Sequence, residues 1–169
     1  MNTMDAILNR RSIRKFNDKK VDKKIIFEIL NAAMNAPSAY DQQPWHFIVI
    51  DDRKTLDEIP KFHPYAKMLN SCPQAILVLA DLKLVQSKNM EILDCAAATQ
   101  NILLACTEKD LGSVWVSVYF REDRVKSFKK LLKLPDNIIP ISLIPFGYSD
   151  EVKKTKDNFK KERIHFNSF

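Results

Sequence analysis

The sequence predicts a layered fold of the α+β class. Residues 75–80 form a nearly all-apolar run, which is typical of a strand covered on both faces. Residues 89–109 form a long, alanine-rich helix with little polar surface, so it is central or lies in an interface. Helical and strand periodicities alternate along the rest of the chain. Because helices separate the strands, some neighbouring strands are expected to be parallel, giving a mixed sheet.

The first half of the chain begins with a short amphipathic helix, residues 4–8, that runs into a basic cluster. Asp22 is the predicted N-cap of a second helix, which stops before Pro37. The remaining predicted elements are a polar loop at 36–44, a strand at 46–50, and short helices at 54–59 and 64–69.

In the second half, Gly112 is expected to end the longest helix, and residues 113–120 alternate like a strand. A basic amphipathic helix at 124–132 precedes a strand at 138–146, which contains prolines and is predicted at the edge or end of the sheet. The charged tail, residues 149–169, is expected to lie along a neighbouring surface because it carries four large apolar residues: Phe159, Ile164, Phe166 and Phe169. Residues 1–169 are predicted to form a single domain.

The basic composition suits an anionic partner without choosing one, and a soluble protein with a lysine-rich exterior explains it equally well. The formal net charge of +6, from 27 Lys+Arg and 21 Asp+Glu, suits a nucleic acid, an acidic membrane surface or a phosphorylated small molecule. With only 2 glycines, the chain cannot contain a G-x-x-x-x-G-K phosphate loop or a G-x-G-x-x-G dinucleotide motif. A phosphorylated ligand would therefore be held by side chains and ordinary backbone.

The cysteine pattern predicts a reducing compartment. Cys72, Cys95 and Cys106 include no C-x-x-C pair and fit buried apolar positions better than a disulfide or a metal site. The first residues lack the apolar stretch of a secretory signal, and no run approaches the ~20 apolar residues of a membrane span. The expectation is a cytoplasmic protein with no membrane contact and no bound metal.

The basic cluster at residues 10–14 is the first candidate binding segment. If it is extended, Arg10, Ser12 and Arg14 point one way, and Arg11 and Ile13 point the other. Two guanidinium groups flanking a hydroxyl would bind a phosphate or another anionic oxygen. The alternative is a solvated basic helix end that interacts favourably with the helix dipole.

The loop at 36–44 is the second candidate. Ser38, Gln42 and Gln43 supply neutral hydrogen-bonding groups, and Ala39 permits the close approach of a flat ligand. Turn formation between a helix and a strand explains the same residues equally well. His46, at the start of a strand, is interpreted as structural.

Together the two segments are more specific. The motif R-R-S-I-R-K-F, followed about 20 residues later by A-P-S-x-x-x-Q-Q-P-W-H-F, resembles the nitroreductase family of FMN-dependent oxidoreductases. Further similar segments follow in the expected order and cover nearly the whole chain. They are 63–69, 75–81, 101–105, 112–116, 134–141, 147–148 and 163–166.

The resemblance implies a three-layer sandwich, with a central mixed sheet flanked by helices, built as an intertwined homodimer with two FMN sites at its interface. It implies no catalytic side chain, because the cofactor makes and breaks the bonds. By position, the flavin contacts would be Arg10, Arg11, Ser12 and Arg14; Pro37, Ser38 and Ala39 from the partner copy, with Gln43 nearby; the backbone at Val116 and Ser117; and Lys154, or Lys156, at the phosphate.

Four positions depart from the pattern of the family. Tyr40 and Asp41 stand where many members carry Gly-Asn, Ser117 stands where glycine is common, and Asn158 stands where an arginine is expected in the short members. A carboxylate at Asp41 would place negative charge near a flavin that becomes anionic on reduction.

The resemblance therefore implies an enzyme, an NAD(P)H-dependent FMN oxidoreductase. Hydride would pass from NAD(P)H to FMN, and electrons then to a nitroaromatic, quinone or flavin-type acceptor, in a ping-pong mechanism. The first alternative is a flavin-binding storage or sensing protein with little turnover. The second is a nucleic-acid binder that uses the net charge, which would bind DNA in a salt-sensitive way and be colourless. The pattern does not distinguish NADH from NADPH.

Overall fold

The computed structural model describes residues 1–169, which form five α-helices and five β-strands. The helices are α1 (Thr3–Asn9), α2 (Lys23–Met34), α3 (Arg53–Phe62), α4 (Met90–Glu108) and α5 (Glu122–Leu132). The strands are β1 (Trp45–Ile50), β2 (Gln74–Asp81), β3 (Gly112–Ser113), β4 (Val116–Ser117) and β5 (Ile138–Gly147). Short 3-10 segments occupy Ala39–Asp41, Pro64–Asn70 and Lys161–Arg163. The order of elements is the predicted one, except that the single strand predicted at 113–120 is divided in two.

The strands form one sheet in which β5 pairs with β2 on one side and with β3 and β4 on the other, while β1 forms the far edge. All four strand pairings are antiparallel, and the parallel component is an isolated bridge between Ser12 and Ser113. The strands β1 and β2 are antiparallel although helical segments separate them along the chain, and the path of their connection explains why. Its two helical segments, α3 and Pro64–Asn70, pack against each other, so the chain returns to the end of the sheet that it left.

The strand β5 lies inside the sheet, so the edge position predicted from Pro140 and Pro145 is wrong. Pro140 pairs with Leu79 beside a register shift, where the ladder is already irregular. The carbonyl of Pro145 accepts a hydrogen bond from the Val114 N–H at 3.2 Å. In an antiparallel strand the N–H and the carbonyl of one residue point to the same neighbour, so the N–H that Pro145 lacks would have pointed to the chain between β3 and β4. The missing donor accounts for the division of the strand predicted at 113–120.

Two hydrophobic cores cover the two faces of the sheet. Alternate residues of β2 enter opposite cores: Ile76, Val78 and Ala80 pack with α2 and α4, whereas Ala75, Leu77 and Leu79 pack with α3 and α5. All six side chains are buried because both faces are covered. The layers are thus α2 with α4, the sheet, and α3 with α5, which confirms the predicted three-layer α+β sandwich.

The helix α4 ends at Glu108, so the prediction that Gly112 ends it is wrong. The chain turns through Asp110, at a φ of 55°, and Gly112 then begins β3. A Cβ atom on Gly112 would lie 2.7 Å from Ile13 Cγ2, well inside van der Waals contact. Glycine is therefore required by the close approach of the segment that carries Ile13. Neither α4 nor any other helix combines the length and apolar character needed to cross a membrane.

The three cysteines are unpaired and buried. Burial raises the pKa of the Cys72 thiol to about 11, and those of Cys95 and Cys106 to about 12. These residues therefore remain neutral thiols at physiological pH and pack as small apolar side chains.

Candidate functional site

Residues 10–15 leave α1 and run extended beside β3. Arg10 has a φ of −54° and a ψ of 126°, which ends the helix. Ser12 forms the parallel bridge with Ser113, and the Ile13 N–H donates to the Ser113 carbonyl at 3.0 Å. The extended conformation on which the predicted alternation of side chains depends is therefore present.

The chain after β5 lies along the same segment and fixes its backbone. The Glu151 carboxylate accepts hydrogen bonds from the backbone N–H groups of Arg14 and Lys15, at 2.8 and 3.0 Å. The bond from Arg14 is the main cause of the lowered pKa of Glu151, so this carboxyl stays ionised at neutral pH. Arg11 Nε donates to the Lys154 carbonyl at 3.2 Å. Arg11 and Lys154 thus lie together, through the main chain of Lys154.

A cavity of about 520 Å³ opens beside Arg14. The backbone of Val116 and Ser117 forms part of its wall, so three of the predicted site residues line one cavity. Lys67 and Arg124 also line it, and no aspartate or glutamate does. Three positive charges around one cavity favour an anionic ligand or a ligand rich in carbonyl oxygens.

Two buried side chains hold the Ser117 carbonyl at the cavity wall. It accepts hydrogen bonds from His63 Nε2 at 2.9 Å and from Arg124 Nη1 at 3.1 Å. Burial lowers the pKa of His63, and the charge of Arg124 lowers it further, although the bond to Ser117 partly offsets both effects. The imidazole is therefore neutral at pH 7, with its proton on Nε2.

The loop 37–43 lies at the opposite edge of the sheet within the same chain. It precedes β1, whereas residues 10–15 run beside β3, and β2 and β5 lie between these edges. Strands are spaced by ~4.8 Å, which puts the two edges on the order of 14 Å apart. The predicted contacts in this loop, Pro37, Ser38, Ala39 and Gln43, are therefore not brought to the cavity of their own chain.

The loop has an unusual backbone. Tyr40, Asp41 and Gln43 have φ values of 53°, 51° and 42°, in the left-handed region that favours glycine. Each side chain there costs on the order of 1–2 kcal/mol. Gln43 is used inside the loop: its N–H donates to Ser38 Oγ at 3.1 Å, and its side-chain amide donates to Asp41 at 2.7 Å.

Three residues at the cavity, His63, Lys67 and Arg124, were not singled out from the sequence. The sequence pattern could have indicated Arg124, because it lies on the same buried face of α5 as Phe128. A charged residue within an apolar stripe needs a partner for its charge. His63 precedes Pro64 at a predicted helix start and gave no comparable signal. Nothing distinguishes Lys67 among 27 Lys+Arg.

The fold and the cavity define a three-layer α+β protein with a cationic ligand site beside its first extended segment. The model of the nitroreductase family matches residues 7–71 and 63–148. A protein from Methanothermobacter thermautotrophicus, provisionally named as an NADH dehydrogenase/NAD(P)H nitroreductase, is 46% identical over 165 residues, covering 98% of this chain and 86% of that protein. This chain belongs to the nitroreductase family.

Solved structures agree with this assignment. The crystal structure of a Parabacteroides distasonis protein with the same provisional name has a TM-score of 0.94 at 42% identity, and the alignment covers 99% of this chain and 98% of that one. An FMN-dependent nitroreductase from Clostridium difficile has a TM-score of 0.90 at 32% identity, with 98% and 99% covered.

The donors at the site fit FMN. Arg124 lines the cavity, and its Nε is a buried nitrogen without a hydrogen-bond partner in the chain; Arg11, in the adjacent segment, has a second such nitrogen at Nη2. A buried donor left without an acceptor costs about 1–3 kcal/mol. FMN offers a phosphate and ring carbonyls, which are acceptors of the kind that these guanidinium groups lack.

Proposed function

We propose that this protein is an FMN-dependent oxidoreductase that oxidises NAD(P)H and reduces a nitroaromatic, quinone or flavin-type acceptor. The observation that carries the proposal is the cavity beside the segment 10–14, which Arg14, Lys67 and Arg124 line and no carboxylate lines. Membership of the nitroreductase family supports it. Bound FMN would supply the redox chemistry, taking hydride from NAD(P)H and then passing electrons to the acceptor in a ping-pong sequence.

The chain's own residues would bind the cofactor and set its electrostatic surroundings. Arg10, Ser12 and Arg14 would face the flavin from one side of the extended segment. Fixed guanidinium groups at the ring edge where negative charge accumulates would favour electron uptake. His63 and Arg124 would keep the Ser117 carbonyl in one position, so that the wall at Val116 and Ser117 does not reorganise. In this proposal no side chain acts as a general acid or base.

We propose further that the active unit is a homodimer. Apolar side chains on α1 and α4 are exposed, including Met4 at 59%, Leu8 at 60% and Leu93 at 62%. Such a surface is suited to a partner. A two-fold dimer uses the same surface on both copies, and the loop 37–43 of one copy would then cover the flavin of the other. A cytoplasmic location and a single domain over residues 1–169 stay predictions.

Purification with FMN tests the proposal directly. The protein is expected to be yellow, or to become yellow on incubation with FMN, with about one FMN per chain, and to oxidise NAD(P)H when a quinone or nitroaromatic is added. A spectrum without flavin bands after incubation with FMN would overturn it. Flavin binding without turnover would favour the storage or sensing alternative. Salt-sensitive DNA binding by a colourless protein would favour the nucleic-acid alternative.

The assembly is tested by light scattering on the FMN-loaded protein. The expected mass is that of two chains. A stable FMN-loaded monomer would contradict both the homodimer and the assignment of the loop 37–43 to a neighbouring flavin.

A further inference from the structure

A buried carboxylate on α4 holds the loop 37–43. Asp94 is only 5% exposed. One of its oxygens accepts the Ala39 N–H at 2.9 Å, and the other accepts the Gln42 side-chain amide at 2.6 Å. Each carboxylate oxygen thus accepts from one donor of the loop. An asparagine at this position has only one such oxygen, so it could not accept both hydrogen bonds in the same way.

The second member of the network has a fixed orientation. Gln42 is 6% exposed, and its Oε1 accepts the N–H groups of Gln86 and Ser87, at 2.9 and 3.1 Å. These two donors require the carbonyl oxygen of Gln42 on their side, so its NH₂ group must face Asp94. Asp94 must then accept two hydrogen bonds, which only a carboxylate at this position does.

The network opposes the local preference of the loop. Three non-glycine residues adopt positive φ within the four residues 40–43, and these conformations are disfavoured. The Asp94–Gln42 pair therefore selects a shape that the loop sequence alone does not favour. Exposed salt bridges and turn hydrogen bonds do not offer such control, because water competes with them.

We propose that Asp94 and Gln42 form a positioning pair that presets the loop 37–43 in the shape required to cover the flavin of the partner copy. The inference rests on the proposed function. Neither residue touches the cofactor; each acts through the backbone of Ala39 and its neighbours. Presetting the loop removes an ordering cost that flavin binding would otherwise bear.

Exchanging the amide and the carboxylate gives a direct test. Asp94→Asn places an amide against the Gln42 amide, and Gln42→Glu places a carboxylate against Asp94. The double variant Asp94→Asn/Gln42→Glu keeps the net charge and restores the pairing between the two side chains, because the introduced asparagine can accept from Ala39 and donate to the introduced carboxylate. Asp136→Asn removes an exposed carboxylate from the loop before β5 and serves as the control.

Hydrogen exchange on the FMN-free protein measures the loop itself. The Ala39 amide is expected to exchange at least tenfold faster in Asp94→Asn, and to return to within about threefold of the native rate in the double variant. Amides of β2, such as that of Val78, are expected to keep their native rates in Asp94→Asn, which separates local opening from global destabilisation. If Gln42→Glu does not fold, Asp94→Asn and the double variant still decide the result.

Titration of FMN measures the consequence for the site. The dissociation constant is expected to rise about tenfold in Asp94→Asn, to recover in the double variant, and to be unchanged in Asp136→Asn. Native FMN affinity in Asp94→Asn, or failure of the double variant to recover Ala39 protection, would overturn the proposal. Absence of FMN binding by the native protein would instead overturn the proposed function, and with it the role of the loop at a flavin, while the exchange rates still report on the Asp94–Gln42 pair.

Discussion

The segment 10–15 and the loop 37–43 are both proposed to contact a flavin, and their backbones are held in different ways. The first has ordinary extended backbone, held by main-chain groups at β3 and by Glu151 of the tail. The second contains three positive φ values and is held by buried side chains. Side-chain substitutions in the segment 10–15 leave its backbone hydrogen bonds intact, so their effects report on ligand affinity. Substitutions around the second change its shape.

The largest effect is expected from a substitution that disrupts the packing of the segment 10–15 against β3. In Gly112→Val the new Cβ would lie 2.7 Å from Ile13 Cγ2, so either β3 or the segment must move. Overpacking of this kind costs typically 1–3 kcal/mol, and we expect about 3 kcal/mol because valine adds two further carbons. Urea unfolding measures the loss, and flavin fluorescence measures the accompanying loss of FMN affinity.

The other glycine provides a control in which alanine adds only a Cβ. A Cβ on Gly147 would meet its nearest atom, Pro73 Cδ, at 3.5 Å, which is ordinary contact. Gly147→Ala is therefore expected to change the free energy of unfolding by less than about 0.5 kcal/mol. Equal losses at the two glycines would show that the close approach of Ile13 is not what requires Gly112.

Removing the charges that are proposed to face the flavin sharpens the comparison. Arg14→Ala and Arg10→Ala are each expected to weaken FMN binding by about 1.5–3 kcal/mol, one to two decades in affinity, because a charge-assisted contact is lost. Lys15→Ala is the control, since it keeps the backbone bond to Glu151 and removes an exposed side chain. Equal dissociation constants in the three variants would overturn the assignment of this segment to the flavin site.

His63, at the cavity beside the segment 10–15, is expected to make the free energy of unfolding depend on pH. Its pKa is lowered in the folded state, so below about pH 6.5 the unfolded chain binds a proton that the folded chain does not. The free energy of unfolding is therefore expected to fall as the pH drops from 6.5 toward the lowered pKa. The slope cannot exceed about 1.4 kcal/mol per pH unit for one proton.

Urea unfolding between pH 7 and pH 5 measures that slope, and His63→Gln tests its origin. Glutamine keeps a donor for the Ser117 carbonyl and does not titrate. We expect the slope in this window to shrink in the variant, and an unchanged slope would assign the proton to another group. Carboxyls with lowered pKa, such as Glu151, titrate at lower pH and do not interfere.

The smallest effect tests the strain of the loop. Tyr40→Gly removes a side chain from a positive-φ position, which gains on the order of 1–2 kcal/mol, and increases the entropy of the unfolded chain, which offsets part of that gain. The expected result is a net stabilisation of about 0.5–1 kcal/mol in urea unfolding. Phe27→Gly, at an exposed position of α2, is expected to destabilise by about 1 kcal/mol. A loss in both variants would mean that Tyr40 is not strained.

Local chemistry made much of the fold predictable. Asp22 caps α2 by accepting from the Lys24 N–H, as its position before the apolar stripe indicated. The apolar run of β2 predicted a strand buried on both faces, and it is. The position of β5 could not be read from its prolines, because Pro145 lies opposite a break in the neighbouring strands that only the folded sheet reveals.

The site was predictable only where one segment forms it. Residues 10–14 carry their own pattern, and the structure makes them extended as expected. The cavity also needs Lys67 and Arg124, which come from distant elements. The Asp94–Gln42 pair joins α4 to a loop about 50 residues earlier, and one sequence contains no signal for that pairing.

Because all three thiols are buried, their reaction with a thiol reagent reports the local unfolding of this protein. With pKa values of about 11 and 12, Cys72, Cys95 and Cys106 hold almost no thiolate at neutral pH in the folded state. A thiol reagent can then react only after the surrounding layer has separated from the sheet. Cys95 and Cys106 lie in the core with α4, and Cys72 lies in the other one. The order in which they are modified would therefore show which layer of the sandwich detaches first.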